Sequence, residues 1–472
     1  MNVQSLSFIW FLAATVFLCG AAGRRDLRIG RLALAAACLI FALWAGPAGV
    51  LVLCAGLCVT AWTVRHLAGE GGRRRCWLAA ACGYHLAVLC VFKYLGFFTG
   101  GAVSMGWAPL GLSFFTFQQL WLLKEVYTRQ YVPVPGDSLV LYGLFFPTLV
   151  SGPILRPDAF FPQLRGESFL RPDARDAAAG MYAISVGMAK KVLLADALGT
   201  VADNGWAMLA DLTAPAAWLV MLAYTLQLYL DFSGYCDIAA GCGRLLGIRL
   251  PLNFRTPYRA LSVGEFWKRW HITLTTFLRE CVYFPLGGSR KGSARTYGNI
   301  VLVFLLSGLW HGAGWTFLVW GLLHGLAQVA ERIWGSRRER LPKAVQWLLT
   351  FLFVNLAWIF FRAPSLSAAG ALLAAGVSGG AGLPAAALTA GVLESEVTAL
   401  QTVLPQLKGW MPWLVLLGLL SAGLVVSLRP QETAERLDGL RLNRRSAVLC
   451  GVLLAWAVLS FSNGTAFIYS NF

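Results

Sequence analysis

Apolar runs long enough to cross a bilayer recur from one end of this 472-residue chain to the other, beginning with LSFIWFLAATVFLCGAAG from Leu6. In hydrocarbon every backbone N–H and C=O must be satisfied inside the protein, so a chain made of such runs folds as packed helices. The composition agrees: 58% of the residues are hydrophobic and 13% charged, where soluble domains average about 45–50% apolar and about 25% charged. The expected fold class is an all-α polytopic membrane protein, a single integral-membrane domain over residues 1–472. The first run has no basic flank before it and leads into further spans, so it is expected to be a retained helix rather than a cleaved signal.

Lys and Arg outnumber Asp and Glu by 39 to 22, a net charge of +17. The basic residues fall in short clusters between apolar runs, which is the positive-inside pattern and argues against nucleic-acid binding. Arg24, Arg25, Arg28 and Arg31 mark a cytoplasmic loop and place the N-terminus outside. Spans at 32–45 and 49–64 return the chain to Arg65, Arg73, Arg74 and Arg75; spans at 76–98 and 107–123 follow. Two stretches, 141–164 and 251–288, mix Pro, Gly and charge with apolar residues and read as re-entrant or surface-lying helices. Spans resume at 299–321 and 344–361, and Arg337, Arg338, Arg340 and Lys343 lie between them. Arg429, Arg436, Arg441, Arg444 and Arg445 precede a last span at 446–459, which puts the C-terminus outside. The count is about eleven spans. The eleven cysteines form no C-x-x-C pair and read as packing residues, so no metal site is expected.

Polar groups inside such runs are costly and therefore informative. Of five histidines, His66 adjoins Arg65 in a loop and His85 reads as a helix–helix hydrogen-bonding residue. His311 lies in VLVFLLSGLWHGAGWTFLVWGLLHG (301–325), a stretch without charge, among Gly308, Gly312 and Gly314. It is a site candidate, with Trp310 and Trp315 as candidate walls of a passage, while His324 reads as packing or interfacial. GEFWKRWHITLTTFLRECVY (264–283) interleaves basic and aromatic residues. That pattern suits either an interfacial anchor or a cytoplasmic gate for an anionic ligand, with His271 facing the path. Asp231 and Asp237 sit against apolar flanks and are expected to pair with arginines such as Arg255 or Arg279.

FWKRWHITLTTFLRE (266–280) followed by GLWHGAGWTFLVWGLLHG (308–325) resembles the paired signature of the membrane-bound O-acyltransferases. The likeness continues in PLGLSFFTFQQL (109–120), FFPTLVSGPILRPDAFFPQL (145–164), GMAKKVLLADAL (187–198), DFSGYCDIAAGCGRLLGIRLPLNF (231–254), YFPLGGSRKG (283–292) and NLAWIFFRAPS (355–365). It covers residues 90–365 in order, and is nearest the bacterial branch that O-acetylates exopolysaccharides such as alginate. The sister branch transfers D-alanine to teichoic acids. The terminal FIYSNF (467–472) matches that branch's aromatic ending, with Ser470 in place of an aromatic. Glu280 and Cys281 follow Arg279 where the family usually has Asp-Tyr.

The resemblance implies a bowl of helices around a central tunnel in the bacterial inner membrane. It makes His311 the essential intramembrane histidine and His271 a second one on the cytoplasmic side. Arg279, Glu280, Asp231 and Asp237, with the two tryptophans, would support the tunnel. An acetyl thioester, acetyl-CoA or an acyl carrier, is the implied donor, and a periplasmic partner protein the implied recipient. Tyr469 would hold the acyl group in transit, residues 446–472 forming a last span and relay motif. A tyrosine hydroxyl of pKa about 10 needs an adjacent base to act as a nucleophile, and neutral imidazole fits that task. Without the family, Tyr469 reads as an interfacial anchor. A transporter and a non-catalytic export scaffold also fit many spans with a buried histidine; turnover of acetyl-CoA separates them from an enzyme.

Overall fold

The computed structural model describes residues 4–69, 73–128, 136–440 and 443–461, and every regular element among them is a helix. Tyr469 and the rest of the terminal motif lie outside the described residues. Asp26 ends the first helix, Leu6–Arg25, and starts the second, Leu27–Ala45. Its N–H closes onto the Ala22 carbonyl, and its carboxylate accepts the N–H groups of Arg28 and Ile29. Pro47 opens Pro47–Ala68 at the one helical position where its missing N–H costs nothing.

Six described helices are long and apolar enough to cross a membrane by length and composition: these three, Arg74–Phe98, Ala174–Ala207 and Lys343–Arg362. The chain is a multi-pass membrane protein. Ala214–Leu245, Ser293–His311 and Trp315–Trp334 are as long but bury polar side chains such as Asp231, Asn299 and His324, so length and apolarity alone pass over them. Six therefore stands below the eleven expected from runs alone. The span expected at 107–123 is shifted: the helix runs Leu112–Tyr127, because Pro109 and left-handed Gly106 and Gly111 keep the preceding chain irregular. The span expected at 299–321 is two helices, broken at residues 312–314.

The stretches 141–164 and 251–288 are runs of short helices held inside the protein, with Tyr142, Phe145, Phe161, Phe254 and Trp270 almost wholly buried. In particular, 264–283 is no continuous surface helix. It is Val263–Arg269 and Ile272–Leu278, and Phe266, Trp267, Trp270, Leu274 and Phe277 between them face the core.

Basic loops distant in sequence are tied together at one end of the molecule. Arg171 donates to the Gly23 carbonyl at 2.8 Å and Arg74 to those of Leu67 and Tyr127 at 2.9 and 2.8 Å. Arg31 pairs with Asp137 at 2.7 Å, and Arg175 reaches the Asp438 carbonyl at 2.7 Å. Two large apolar cores, one mainly from the first 193 residues and one from residues 195–428, flank a small aromatic cluster of Phe114, Phe117, Trp121, Phe277 and Trp310. His271 and His311 stand at that cluster.

Candidate active site

His311 is the last residue of Ser293–His311, and Gly312 and Gly314, both extended, turn the chain into Trp315–Trp334. The two helices touch backbone to backbone. A Cβ on Gly308 would lie 2.3 Å from the Phe317 carbonyl oxygen, and one on Gly321 2.4 Å from that of Phe304. The glycines around His311 thus serve close helix packing. His311 is 1% exposed, its ring set among Trp310, Trp320 and Phe361 with centroids 4.8–5.1 Å away.

His271 is fully buried and starts Ile272–Leu278 in the left-handed region, at φ 43°. Such a conformation costs a non-glycine residue about 1–3 kcal/mol and persists only where the surroundings impose it. Asn253 imposes it. Its backbone oxygen accepts the Ile272 N–H at 2.9 Å, and its side-chain oxygen accepts the Thr273 hydroxyl at 2.8 Å and lies 3.0 Å from His271 Nδ1. The same oxygen takes the Thr273 backbone N–H at 3.3 Å, so it is the carbonyl end of the amide. His271 Nδ1 therefore carries the proton and Nε2 the lone pair. The ring meets Phe232 edge-on at 4.9 Å and Trp310 at 5.9 Å.

Two cavities that share no lining residue end near His311. One, of about 510 Å³, is lined by His311, Gly312, Lys93, Ser113, Phe114 and Phe317, and reaches Ala45 at the end of Leu27–Ala45 remote from the arginine cluster. The other, of about 330 Å³, is lined by Ser307, Leu274, Lys268, Arg279, Tyr283 and Arg332. Ser307 and His311 are four residues apart on one helix, so only about 6 Å of helix rise separates the two lining positions. The aromatic cluster occupies that separation. Trp310 stacks on Phe117 at 5.3 Å and Phe117 on Phe277 at 4.1 Å.

The other residues singled out by the sequence, Arg279 excepted, fall away from the two cavities, and the expected pairing of the two aspartates is corrected. Trp315 is 67% exposed, meets Phe97 edge-on and lines neither of the two cavities; it begins a helix whose buried face starts one residue later, at Thr316. Asp231 and Asp237 pair with lysines instead of Arg255 or Arg279. Lys191 bridges Asp231 at 2.7 Å and Asp196 at 2.6 Å, and Lys190 pairs with Asp237 at 2.8 Å. The cause is helix register: Gly187 packs on Gly234 and Gly180 on Gly241, which brings 190–191 opposite the aspartates. Arg255 pairs with Glu435. Arg279 lines the smaller cavity, whereas Glu280 turns to Arg156 at 3.0 Å and Lys124 at 3.7 Å. His85 bonds Thr60 at 2.9 Å between helices, and His324 accepts from Trp267 Nε1 at 3.1 Å in the aromatic core.

Sequence reasoning passed over Asn253 and Lys93. Asn253 gave no signal, since an asparagine in a loop is ordinary. Lys93 did: it interrupts the apolar run ending at Phe98. It sits in the π-helical segment Cys90–Tyr94, donates to the Trp310 carbonyl and to Ser113 Oγ at 3.3 Å, and lies 5.6 Å from the Trp310 ring. Among the described residues no cluster of His, Cys, Asp or Glu could hold a metal ion.

Residues 84–367 match the family model described as the membrane-bound O-acyltransferase family. The chain is 38% identical over 387 residues to a probable alginate O-acetylase AlgI of Pseudomonas putida, covering 78% of each chain. It is 38% identical over 343 residues to a peptidoglycan O-acetyltransferase of Helicobacter pylori, covering 64% of this chain and 65% of that one. To a teichoic acid D-alanyltransferase of Bacillus subtilis it is 27% identical, over 53% of this chain and 68% of the other. By the extent of the match and by these relatives, the chain belongs to the membrane-bound O-acyltransferase family.

Proposed function

We propose that the protein is an O-acetyltransferase of the bacterial inner membrane. It carries acetyl groups from a cytoplasmic thioester, acetyl-CoA, to the outer side for O-acetylation of an exported polysaccharide such as alginate. The observation that supports this most is the position of His311 at a wall about one helical turn thick between two cavities. By the positive-inside rule the basic loops are cytoplasmic and the larger cavity opens outward. The smaller cavity, edged by Lys268, Arg279 and Arg332, suits the phosphates of CoA.

In this reading the acetyl end of the donor reaches Trp310, and an accepting hydroxyl enters from the larger cavity. His311 takes the hydroxyl proton as general base. The oxygen bonds the acyl carbon, the C–S bond breaks, and the departing thiolate receives the proton from the imidazolium. His271, fixed by Asn253, orients the donor from behind Trp310. The first acceptor is Tyr469 of the terminal FIYSNF. The resulting phenolic ester passes its acetyl group to a periplasmic partner protein.

D-alanyl transfer to a cell-envelope polymer is the second reading, supported by the likeness to the Bacillus subtilis relative. The higher identity to two relatives named for O-acetylation favours acetyl. The test incubates purified wild type, Tyr469→Phe and His311→Ala with radiolabelled acetyl-CoA and maps retained label. Label on the C-terminal peptide of wild type, absent from both variants, is the expected result. Full polymer acetylation by Tyr469→Phe would remove the relay and leave direct transfer. A wild type that turns over no acetyl-CoA would remove the acetyltransferase reading.

A further inference from the structure

A lysine inside a membrane-length helix is expensive, and the fold keeps one at Lys93. Lys93 is carried by a π-helical segment, an irregularity frequent at functional sites. Its Nζ holds the carbonyl of Trp310, the residue before His311, and the hydroxyl of Ser113. Lys93, Ser113 and His311 line one cavity. The bland account is that Lys93 caps the C-terminal end of Ser293–His311, where helix carbonyls lack partners and the helix dipole favours a cation. Capping explains the contact with Trp310. It does not explain why the same side chain borders the space that receives the acceptor.

We propose that Lys93 is a catalytic residue of the acyl transfer, its ammonium holding the oxyanion that forms as the hydroxyl attacks; this rests on the acyltransfer reading above. His311 removes the hydroxyl proton while the oxygen bonds the acyl carbon. The carbonyl π pair moves onto the acyl oxygen, which then sits against Lys93 Nζ. The pair returns to re-form C=O, the C–S bond breaks, and the thiolate takes the proton from His311. Lys93 keeps its own protons throughout. A fixed cation beside that oxygen is worth most in a site shielded from water, where the charge appears only in the transition state.

The test uses full-length protein in nanodiscs, with kcat measured on acetyl-CoA and affinity measured for a non-transferable thioether analogue. Lys93→Met is expected to lower kcat about 10²–10³-fold, the range for losing an oxyanion donor, with analogue affinity within twofold of wild type. Lys93→Arg is expected to recover at least tenfold of that loss. Should Lys93→Met fail to fold, Lys93→Arg and Lys93→Gln decide: a cation-dependent difference of tenfold or more supports the proposal, and equal rates overturn it. A Lys93→Met protein within threefold of wild-type kcat, beside an inactive His311→Ala, also overturns it and leaves Lys93 a helix cap with the acyltransferase reading intact. A wild type that turns over no acyl thioester would bring down that reading and the role of Lys93 with it.

Discussion

Replacing Gly308 with alanine would set a methyl group 2.3 Å from the carbonyl oxygen of Phe317 and 3.1 Å from its carbon. Both belong to the backbone of the facing helix, so no side chain can turn aside. The helices must part by roughly 1 Å, and overpacking of this kind costs about 1–3 kcal/mol. The larger effect falls on chemistry. His311 lies three residues beyond Gly308 on the same helix, so the parting displaces its imidazole relative to the wall, and a displacement near 1 Å costs about 10²-fold in rate. Gly298 supplies the control. It lies on the same helix, and a Cβ there meets nothing within 4 Å. Gly298→Ala should leave activity unchanged and raise stability by up to about 1 kcal/mol through helix propensity. The assay is acetyl transfer from acetyl-CoA at saturating donor, with thermal unfolding followed on the same preparations. A Gly308→Ala protein within threefold of wild type would refute the claim that backbone contact at Gly308 sets the position of His311.

Three further perturbations test separate parts of the structure. Asn253→Ala removes the side-chain oxygen that holds Thr273 and fixes the His271 tautomer, leaving the backbone contact to Ile272 in place. It should cost about 1–3 kcal/mol in thermal unfolding and lower kcat at least tenfold, while unchanged kcat would deny His271 a role in transfer. Lys191→Met leaves Asp196 and Asp231 buried without their shared cation and should cost about 3–5 kcal/mol, read as lost thermal stability; the double variant Lys191→Met with Asp231→Asn should regain part of it. Arg279→Ala and Lys268→Ala should raise KM for acetyl-CoA and flatten its dependence on salt with little change in kcat. An unchanged KM would separate the smaller cavity from donor binding.

How much of this was legible beforehand varies from residue to residue. His311 stood out because an ionisable side chain in an uncharged 25-residue stretch has a cost that calls for a reason. The break beside it was invisible, because Gly312, Ala313 and Gly314 keep the run apolar and a hydropathy window reads straight through them. Trp310 and Trp315 looked equivalent in the sequence, yet one is 4% exposed and the other 67%. Their difference arises from the turn between them. Lys93 was passed over inside the span 76–98, and only the return of residues 310–313 to its side joins it to His311.

By itself, then, the sequence determined that this protein is helical, spans the membrane many times, gathers its basic loops at one end and belongs to a family of acyltransferases. These follow from local composition, since hydrocarbon tolerates no unsatisfied backbone and most of the basic residues are confined to loops between runs. Tertiary structure alone decided which charges pair, which tryptophan faces inward, and that two cavities end about one helical turn apart at His311. Those outcomes depend on the register at which helices meet. That register is set by single glycines such as Gly187 against Gly234 and Gly308 against Phe317, where contact between backbones far apart in the chain leaves no room for a side chain.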